Sequence, residues 1–215
     1  MKPLNRTFLS FVVMELLLSM LSPTPVEALG AEDGFNPSPS GSVQTIAVQP
    51  DGKILVGGYF TTIADQAIAR LARLNPDGSL DADFTTPSLD AHVQWIALQA
   101  DGKILLAGGF TDVDGEAHLR IARLHSDGSV DSDFNASITQ GELYTIVVQD
   151  DGKILLGGLF GELNGIFRNN LARLNEDGSL DESFTAQTAN IGSVKSIAVD
   201  PDDKILVGGS YDNLA

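Results

Sequence analysis

The sequence predicts an all-β fold assembled from repeated antiparallel hairpins. The first observation is the stretch QPDGKILVGG, which begins at Gln49 and returns with small changes at Gln99, Gln149 and Asp200. The second is the spacing of about 50 residues between copies, which is typical of repeat architectures. The third is the Pro-Asp-Gly sequence after an aliphatic run, which suits a type I turn followed by a left-handed glycine and a bulge.

The first complete unit, residues 43–84, begins with an inner hairpin of two strands. The Pro-Asp-Gly turn sets its register and places Val48 opposite Ile54, and Ile46 opposite Val56. Both faces of this hairpin are apolar, so a neighbouring unit is expected to cover each face. The glycine pair near the end of the second strand indicates a bulge or the close approach of another backbone.

An outer hairpin is expected to follow, formed by strands 69–75 and 79–84 around a second Asp-Gly turn. Its register places Leu74 opposite Leu80 and Arg73 opposite Asp81. We expect this charged pair to be solvent-exposed and to contribute on the order of 0.2–1 kcal/mol. The aspartate and glycine of each turn are assigned structural roles: Asp51 and Gly52, Asp77 and Gly78, Asp101 and Gly102, Asp127 and Gly128, Asp151 and Gly152, Asp177 and Gly178.

Four antiparallel strands in about 50 residues, with an apolar inner pair, describe a blade of a β-propeller. Complete blades are expected at 43–84, 93–134 and 143–184, and a partial blade at 194–215. Residues 29–42 are assigned to a linker and to the end of a preceding repeat, because Phe35 stands one period before Phe84. The prediction is an incomplete, open ring whose exposed blade faces favour self-association.

Residues 1–28 have the layout of a secretory signal peptide. Lys2 and Arg6 precede an apolar run at 8–21, and cleavage is expected after Ala28. We therefore expect a secreted, periplasmic or cell-surface protein with no membrane span after cleavage. The net charge of −16 excludes nucleic acid as an expected partner, and the absence of cysteine excludes disulfides and thiolate metal sites.

The motifs IAVQPDGKILVGG and RLNPDGSLDADF, with their later copies, closely resemble the delta-60 repeat family of bacterial secreted proteins. The resemblance covers nearly all of the chain after the signal peptide, and the hairpin is also similar to the wider NHL-type propeller pattern. It implies a β-propeller fold and little chemistry. This chain departs from the family in carrying fewer than four full repeats, where members usually carry enough to close a ring.

The outer turn has the spacing N-x-D-G-x-x-D, which matches the middle of a calcium-binding loop. However, Arg73 stands at the position of the first ligand and Phe84 at that of the bidentate glutamate, and both later copies share these faults. The sequence therefore predicts no metal at these turns, and no motif predicts a cofactor or a catalytic residue.

Ligand binding is assigned to the variable loops at the opposite end of the blades from the Asp-Gly turns, because such loops on a rigid scaffold commonly carry function. Candidate residues are His92, Trp95, Asp112 and Asp114. Trp95 is either a ligand platform or, by preference, part of the core. The acidic loop at 112–116 is preferably a solvated turn.

The sequence thus favours a secreted or surface-exposed interaction or scaffold module that binds a protein or a carbohydrate. The alternative is a hydrolase-like propeller enzyme with a central metal or polar pocket that missing blades would complete. That alternative needs acidic or histidine side chains near the ring axis. The starts of the inner strands offer Gln44, Gln94, Tyr144 and Lys195 instead, which is a poor set of metal ligands.

Overall fold

The computed structural model describes residues 35–185 and 191–211, and those from Asn36 onward belong to one compact unit. Every regular element in these ranges is a β-strand. The described residues contain no helix with the length and apolar character needed to span a membrane. The predicted signal peptide at 1–28 lies outside the described residues.

The strands group into three blades and one further hairpin. Blade 1 contains β1 (Val43–Val48), β2 (Ile54–Gly58) and β3 (Leu71–Leu74), and blade 2 contains β4 (Val93–Leu98), β5 (Ile104–Gly108) and β8 (Ile121–Leu124). Blade 3 contains β9 (Gly141–Val148), β10 (Ile154–Phe160) and β13 (Leu171–Leu174). The fourth hairpin contains β14 (Ile191–Val199) and β15 (Ile205–Tyr211). Two-residue strands form small hairpins in blades 2 and 3: β6 (Asp112–Val113) with β7 (Glu116–Ala117), and β11 (Glu162–Leu163) with β12 (Ile166–Phe167).

The predicted register of the inner hairpin is confirmed, since Val48 pairs with Ile54 and Ile46 with Val56. The fourth strand of each blade is shorter than expected. In blade 1 it is reduced to a single bridge between Leu74 and Leu80. The ladder ends there because the chain turns at Asp81, whose carboxylate accepts the Asp83 N–H at 3.2 Å.

Neighbouring blades stack face to face, as the two apolar faces of each hairpin predict. We call the side that carries Leu55, and its equivalents Leu105, Leu155 and Leu206, the Leu55 face. The opposite side, which carries Ile46, Ile96, Ile146 and Ile197, is the Ile46 face. Leu55 shares a buried cluster with Ile96 and Ile104 of blade 2, and Leu105 shares one with Ile146 of blade 3. Each interface thus joins one Leu55 face to the next Ile46 face.

This stacking is repeated along an open arc. The inner strands contact one another in the order β1, β4, β9 and β14. Among the described residues, blade 1 and the fourth hairpin form the two ends of this arc. At those ends Ile46 is 62% exposed and Leu206 59% exposed.

The glycine pair of the inner hairpin serves both the blade and its neighbour. A register shift between Val43 and Thr45 marks a bulge, and a Cβ on Gly58 would lie 2.2 Å from the Ser42 carbonyl oxygen. A Cβ on Gly57 would lie 2.8 Å from the Val93 side chain of blade 2. The prediction that these glycines mark a bulge and a close backbone approach is therefore confirmed.

The inner turn has the geometry that its residues favour. Gly52 has a φ of +85°, its N–H donates to the Gln49 carbonyl at 2.9 Å, and the Gln49 N–H donates to the Lys53 carbonyl at 2.8 Å. In the fourth hairpin the same position is held by Asp203, with a φ of +60°. An aspartate tolerates this left-handed conformation less well than glycine does.

We predict that Asp203→Gly raises the melting temperature by a few degrees, because about 1 kcal/mol of backbone strain is removed. The reciprocal change Gly102→Asp, at the equivalent position of blade 2, should lower the melting temperature. Space does not limit that control, since a Cβ on Gly102 meets nothing closer than 3.7 Å. An unchanged or lowered midpoint for Asp203→Gly, measured by calorimetry, would contradict this account of the turn.

The charged pair of the outer hairpin is buried, so the expectation of a solvent-exposed pair is wrong. Arg73 Nε donates to Asp81 Oδ2 at 2.6 Å, and the two residues are 7% and 8% exposed. Lys53, which follows the inner turn, reaches the same oxygen at 2.9 Å. The same three-residue cluster recurs in blade 2 (Lys103, Arg123, Asp131) and in blade 3 (Lys153, Arg173, Asp181).

The arginine of this cluster also joins one blade to the next. Arg73 donates to the carbonyl of Ser126 in blade 2, and Arg123 donates to the carbonyl of Glu176 in blade 3. The Arg123 guanidinium lies over the Phe134 ring, 4.6 Å from its centre. The edge of that ring fills the space beside Gly178 of blade 3, where a Cβ would meet it at 2.7 Å. The outer hairpins therefore carry an ionic and aromatic clamp between blades.

We predict that Arg123→Met destabilises the junction of blades 2 and 3 by about 3 kcal/mol, because Asp131 keeps its burial and loses its better partner. Lys103→Met should cost about 1 kcal/mol or less, since the Lys103 side chain is 29% exposed. The single tryptophan, Trp95, packs at this junction, so its fluorescence during urea unfolding measures both variants. Equal losses for the two variants would contradict the assigned clamp.

The buried carboxylates also predict how stability depends on pH. Burial disfavours the charged form of Asp81, but hydrogen bonds from Lys53 and Arg73 outweigh it and hold its pKa below the usual value. Asp131 has the same balance of causes, and in Asp181 the Ser183 hydroxyl is the largest cause of a lowered pKa. A lowered folded-state pKa gives stability above the unfolded value of about 3.9.

This stability is lost as the pH falls through the folded-state pKa values, because the unfolded chain then binds more protons. We predict that the melting temperature drops steeply below about pH 4. Asp81→Asn should start from a lower melting temperature at pH 7 and lose less on acidification. The exposed Asp65→Asn serves as the control and should follow the wild type. Parallel curves for wild type and Asp81→Asn would contradict the role of this carboxylate.

Candidate interaction surface on the loop face

The strand order separates the connections of each blade onto two ends. The Asp-Gly turns after the first and third strands share one end, which we call the turn face. The loops after the second strands (59–70, 109–120 and 161–170) begin at the other end, where the segments that lead into each inner strand also arrive (36–42, 85–92 and 135–140). In blade 3 the hairpin of this loop reaches the outer turn, because the Asn164 side-chain amide donates to the Gly178 carbonyl at 3.2 Å. We call these loops and segments, with the last residues of the second strands, the loop face.

Each leading segment is bonded to the loop of the blade it enters. The Ser88 carbonyl accepts the Asp114 N–H at 2.9 Å, and the Ser137 carbonyl accepts the Asn164 N–H at 2.9 Å. In blade 1 the Pro37 carbonyl accepts the Ala64 N–H in the same way. The segment 36–42 therefore contacts blade 1 as the later inter-blade segments contact blades 2 and 3.

The loops themselves contain tight hairpins that the sequence analysis missed. Asp114 and Gly115 both have positive φ angles, +55° and +86°, as do Asn164 and Gly165, at +53° and +72°. Two consecutive positive φ angles define a type I′ turn, for which Asp-Gly and Asn-Gly are the strongest sequence signals. The signal was present at both positions.

Both acidic candidates, Asp112 and Asp114, form hydrogen bonds that hold this local structure. Asp114 accepts the Ser88 N–H at 2.7 Å, and Asp112 accepts the Gly115 N–H at 2.8 Å. Asp90, which was not among the candidates, accepts the N–H and hydroxyl of Thr111. Burial raises the pKa of Asp90, but these hydrogen bonds outweigh it and hold the pKa below its usual value. The carboxylates therefore fix the loop conformation.

Trp95 lies between blades 2 and 3 and not on the loop face. Its ring packs against the buried cluster that contains Leu105 and Ile146. Its indole N–H donates to the Ile146 carbonyl at 3.2 Å. The structure thus places Trp95 in an inter-blade contact, in line with the preferred core interpretation.

His92 lies on the loop face between blades 1 and 2. Its ring stacks on Tyr59, with centres 4.1 Å apart and planes 15° apart. The imidazole also occupies the space beside Gly109, where a Cβ would lie 2.6 Å from it. His92 therefore supports Tyr59, a residue that sequence reasoning did not select, and Tyr59 remains 55% exposed.

Other exposed apolar side chains lie on the same face. In blade 3 Leu159 occupies the position equivalent to Tyr59 and is 48% exposed. Ile166 and Phe167, on the small hairpin of that blade, are 39% and 71% exposed. The equivalent hairpin of blade 2 carries Glu116 and Ala117 instead. Sequence reasoning missed Phe167 because it compared the loops by acidity alone.

The bulges of the inner strands hold the residues on which the enzyme alternative depends. Register shifts place Gln44, Gln94, Tyr144 and Lys195 at these bulges. Burial and the neighbouring Glu142 carboxylate raise the pKa of Tyr144. Within 35–185 and 191–211, no three histidine, aspartate or glutamate side chains are grouped closely enough to hold a metal ion.

A cleft of about 570 Å³ lies on the turn face between blades 2 and 3. Gln99 and Gln149 line it, and the amide oxygen of each is buried without a protein partner. Water satisfies such groups in many proteins, so the cleft is not by itself evidence of a ligand.

Three segments of the chain, 49–84, 99–134 and 149–184, match the model of a family described as a domain of unknown function (DUF5122) β-propeller. Together they make up about half of the 215 residues. The chain belongs to the DUF5122 β-propeller family. Each matched DUF5122 segment runs from the inner turn to the phenylalanine of the clamp, so it contains every member of one Lys-Asp-Arg cluster. A model of the WD domain, G-beta repeat, matches residues 179–215.

No curated protein matches this DUF5122 sequence. Among solved structures, the chain is similar to the extracellular domain of a protein described as a one-component system from B. thetaiotaomicron. The identity is 14% and the TM-score is 0.49, over 80% of this chain and 21% of that chain. The chain therefore spans about a fifth of the length of that protein chain.

Proposed function

We propose that this DUF5122 chain is a secreted or surface-exposed interaction module that binds a protein partner through its loop face. The observation that carries the proposal is the exposure of apolar side chains on that face, with Phe167 at 71% and Tyr59 at 55%. Exposed aromatic side chains are the residues that most often dominate protein interfaces. The signal-peptide pattern at 1–28 supports export of the protein. The motifs IAVQPDGKILVGG and RLNPDGSLDADF support membership in the delta-60 repeat family.

The rigidity of the loops supports this role. Type I′ turns and backbone bonds to the leading segments hold each hairpin on the blade. His92 holds Tyr59 by stacking, with ring centres 4.1 Å apart. A surface that is already ordered loses little conformational entropy when it binds, and more of the contact energy is then available for affinity.

The chemistry of the face favours a protein over a carbohydrate. Leu159, Ile166 and Phe167 offer aliphatic and aromatic area, which matches apolar side chains of a partner. The loops of the three blades also carry the acidic residues Asp65, Glu116 and Glu162, on a chain of net charge −16. A partner with apolar anchors and a basic rim fits this surface, and its association should slow as salt is added.

We predict that peptides selected on the wild-type protein from a random displayed library bind at the loop face. The double variant Ile166→Ser, Phe167→Ser should weaken them about 30-fold, equivalent to about 2 kcal/mol for a lost aromatic anchor. Pro50→Ser, on the turn face, is the matched control and should leave their dissociation constants unchanged. A fluorescence titration measures all three proteins.

Peptides that bind the double variant as tightly as the wild type would place the interaction elsewhere. A parallel glycan array tests the carbohydrate alternative. Glycan binding that is lost in the double variant, with no peptide selected, would overturn the protein part of the proposal.

A further inference from the structure

The two ends of the blade arc expose faces that are covered everywhere else in the structure. In blade 1, Val43 and Ile46 are 36% and 62% exposed, whereas their equivalents Val93 and Ile96 in blade 2 are 0% and 7% exposed. At the other end Leu206 is 59% exposed, whereas its equivalent Leu55 is 0% exposed. The difference lies in the missing neighbour, because the residue types are the same.

These two exposed faces are of opposite kinds. Blade 1 presents an Ile46 face, and the fourth hairpin presents a Leu55 face through Leu206. Inside the chain every described blade interface joins one Leu55 face to one Ile46 face, as Leu55 with Ile96 and Leu105 with Ile146 show. The two ends are therefore complementary to each other by the rule that builds the arc.

A polar contact found between blades 1 and 2 can also form between the two ends of the arc. The Thr45 hydroxyl of blade 1 accepts the Ile96 N–H of blade 2 at 3.3 Å. In the fourth hairpin Ser196 holds the position of Thr45, pairs with Gly208 as Thr45 pairs with Gly57, and is exposed. Its hydroxyl is thus available to accept the Ile46 N–H of a blade placed against it.

We infer that two copies of this chain associate head to tail, with the fourth hairpin of each copy packed on blade 1 of the other. The contact is heterologous, and two such contacts related by a twofold axis close the assembly. The described residues of each copy supply three blades and one hairpin, so those of two copies together supply eight blade positions. That number lies within the range of about four to eight found in propellers.

The proposal predicts a particular response to two charge substitutions. Ile46→Asp destroys the blade 1 side of both contacts in a dimer, and Leu206→Asp destroys the fourth-hairpin side of both. Each variant alone should therefore be monomeric, with half the light-scattering mass of the wild type. An equimolar mixture of the two should return to the mass of a dimer, because the intact Leu206 face of one variant meets the intact Ile46 face of the other.

Phe167→Asp is the matched control, since Phe167 is 71% exposed and lies on the loop face. It should remain dimeric. Circular dichroism on all variants shows that loss of association is not loss of fold, and Val48→Asp gives a second variant of the Ile46 face. A monomeric wild type would overturn the inference. Three further results would also overturn it. They are single variants that both remain dimeric, variants that do not associate on mixing, and larger species whose size increases with concentration.

Discussion

Apolar packing between the opposite faces of neighbouring blades is the constraint on which the rest of this structure depends. Each inner hairpin is apolar on both sides, so each blade that packs against it buries apolar area and adds stability. A single buried leucine or isoleucine contributes about 1.5–3 kcal/mol, and each interface buries several. The bulge and the glycine pair, exemplified by Gly57 beside Val93, let the inner strands approach closely enough for this contact.

The outer hairpins also join neighbouring blades, but through charged and aromatic side chains. The Asp81 carboxylate forms ion pairs with Lys53 of the inner turn and with Arg73 of the third strand. Arg73 also donates a hydrogen bond to a carbonyl of the next blade. The loop face is a consequence of this order. Leading segments must cross from one blade to the next, and on arrival they bond to the loop of the new blade. The exposed side chains of Tyr59 and Phe167 thus lie on loops that the stacked blades hold in place.

Most of the scaffold could be predicted because its causes are local. The turn at Gly52 sets the register of its hairpin, and the repeat period carries that register to every blade. The burial of Arg73 and Asp81 could not be predicted in this way. Their cluster is completed by Lys53, 28 residues from Asp81, and by Ser126, 53 residues from Arg73, and no local pattern links such positions. Within the candidate site, the sequence predicted Asp112 and Asp114 as ligand-binding candidates, but their carboxylates fix the loop conformation. Phe167 was identified only from the exposure of its side chain in the structure.

The pairing of Leu55 faces with Ile46 faces is tested most directly by a crystal structure of the purified protein. Our account predicts that the Leu206 side chain of one copy lies within about 4.5 Å of apolar atoms on the Ile46 face of a second copy. It also predicts that the relation between the two blades repeats that of blades 1 and 2. A structure in which Ile46 and Leu206 face solvent, or in which two Ile46 faces pack together, would contradict it.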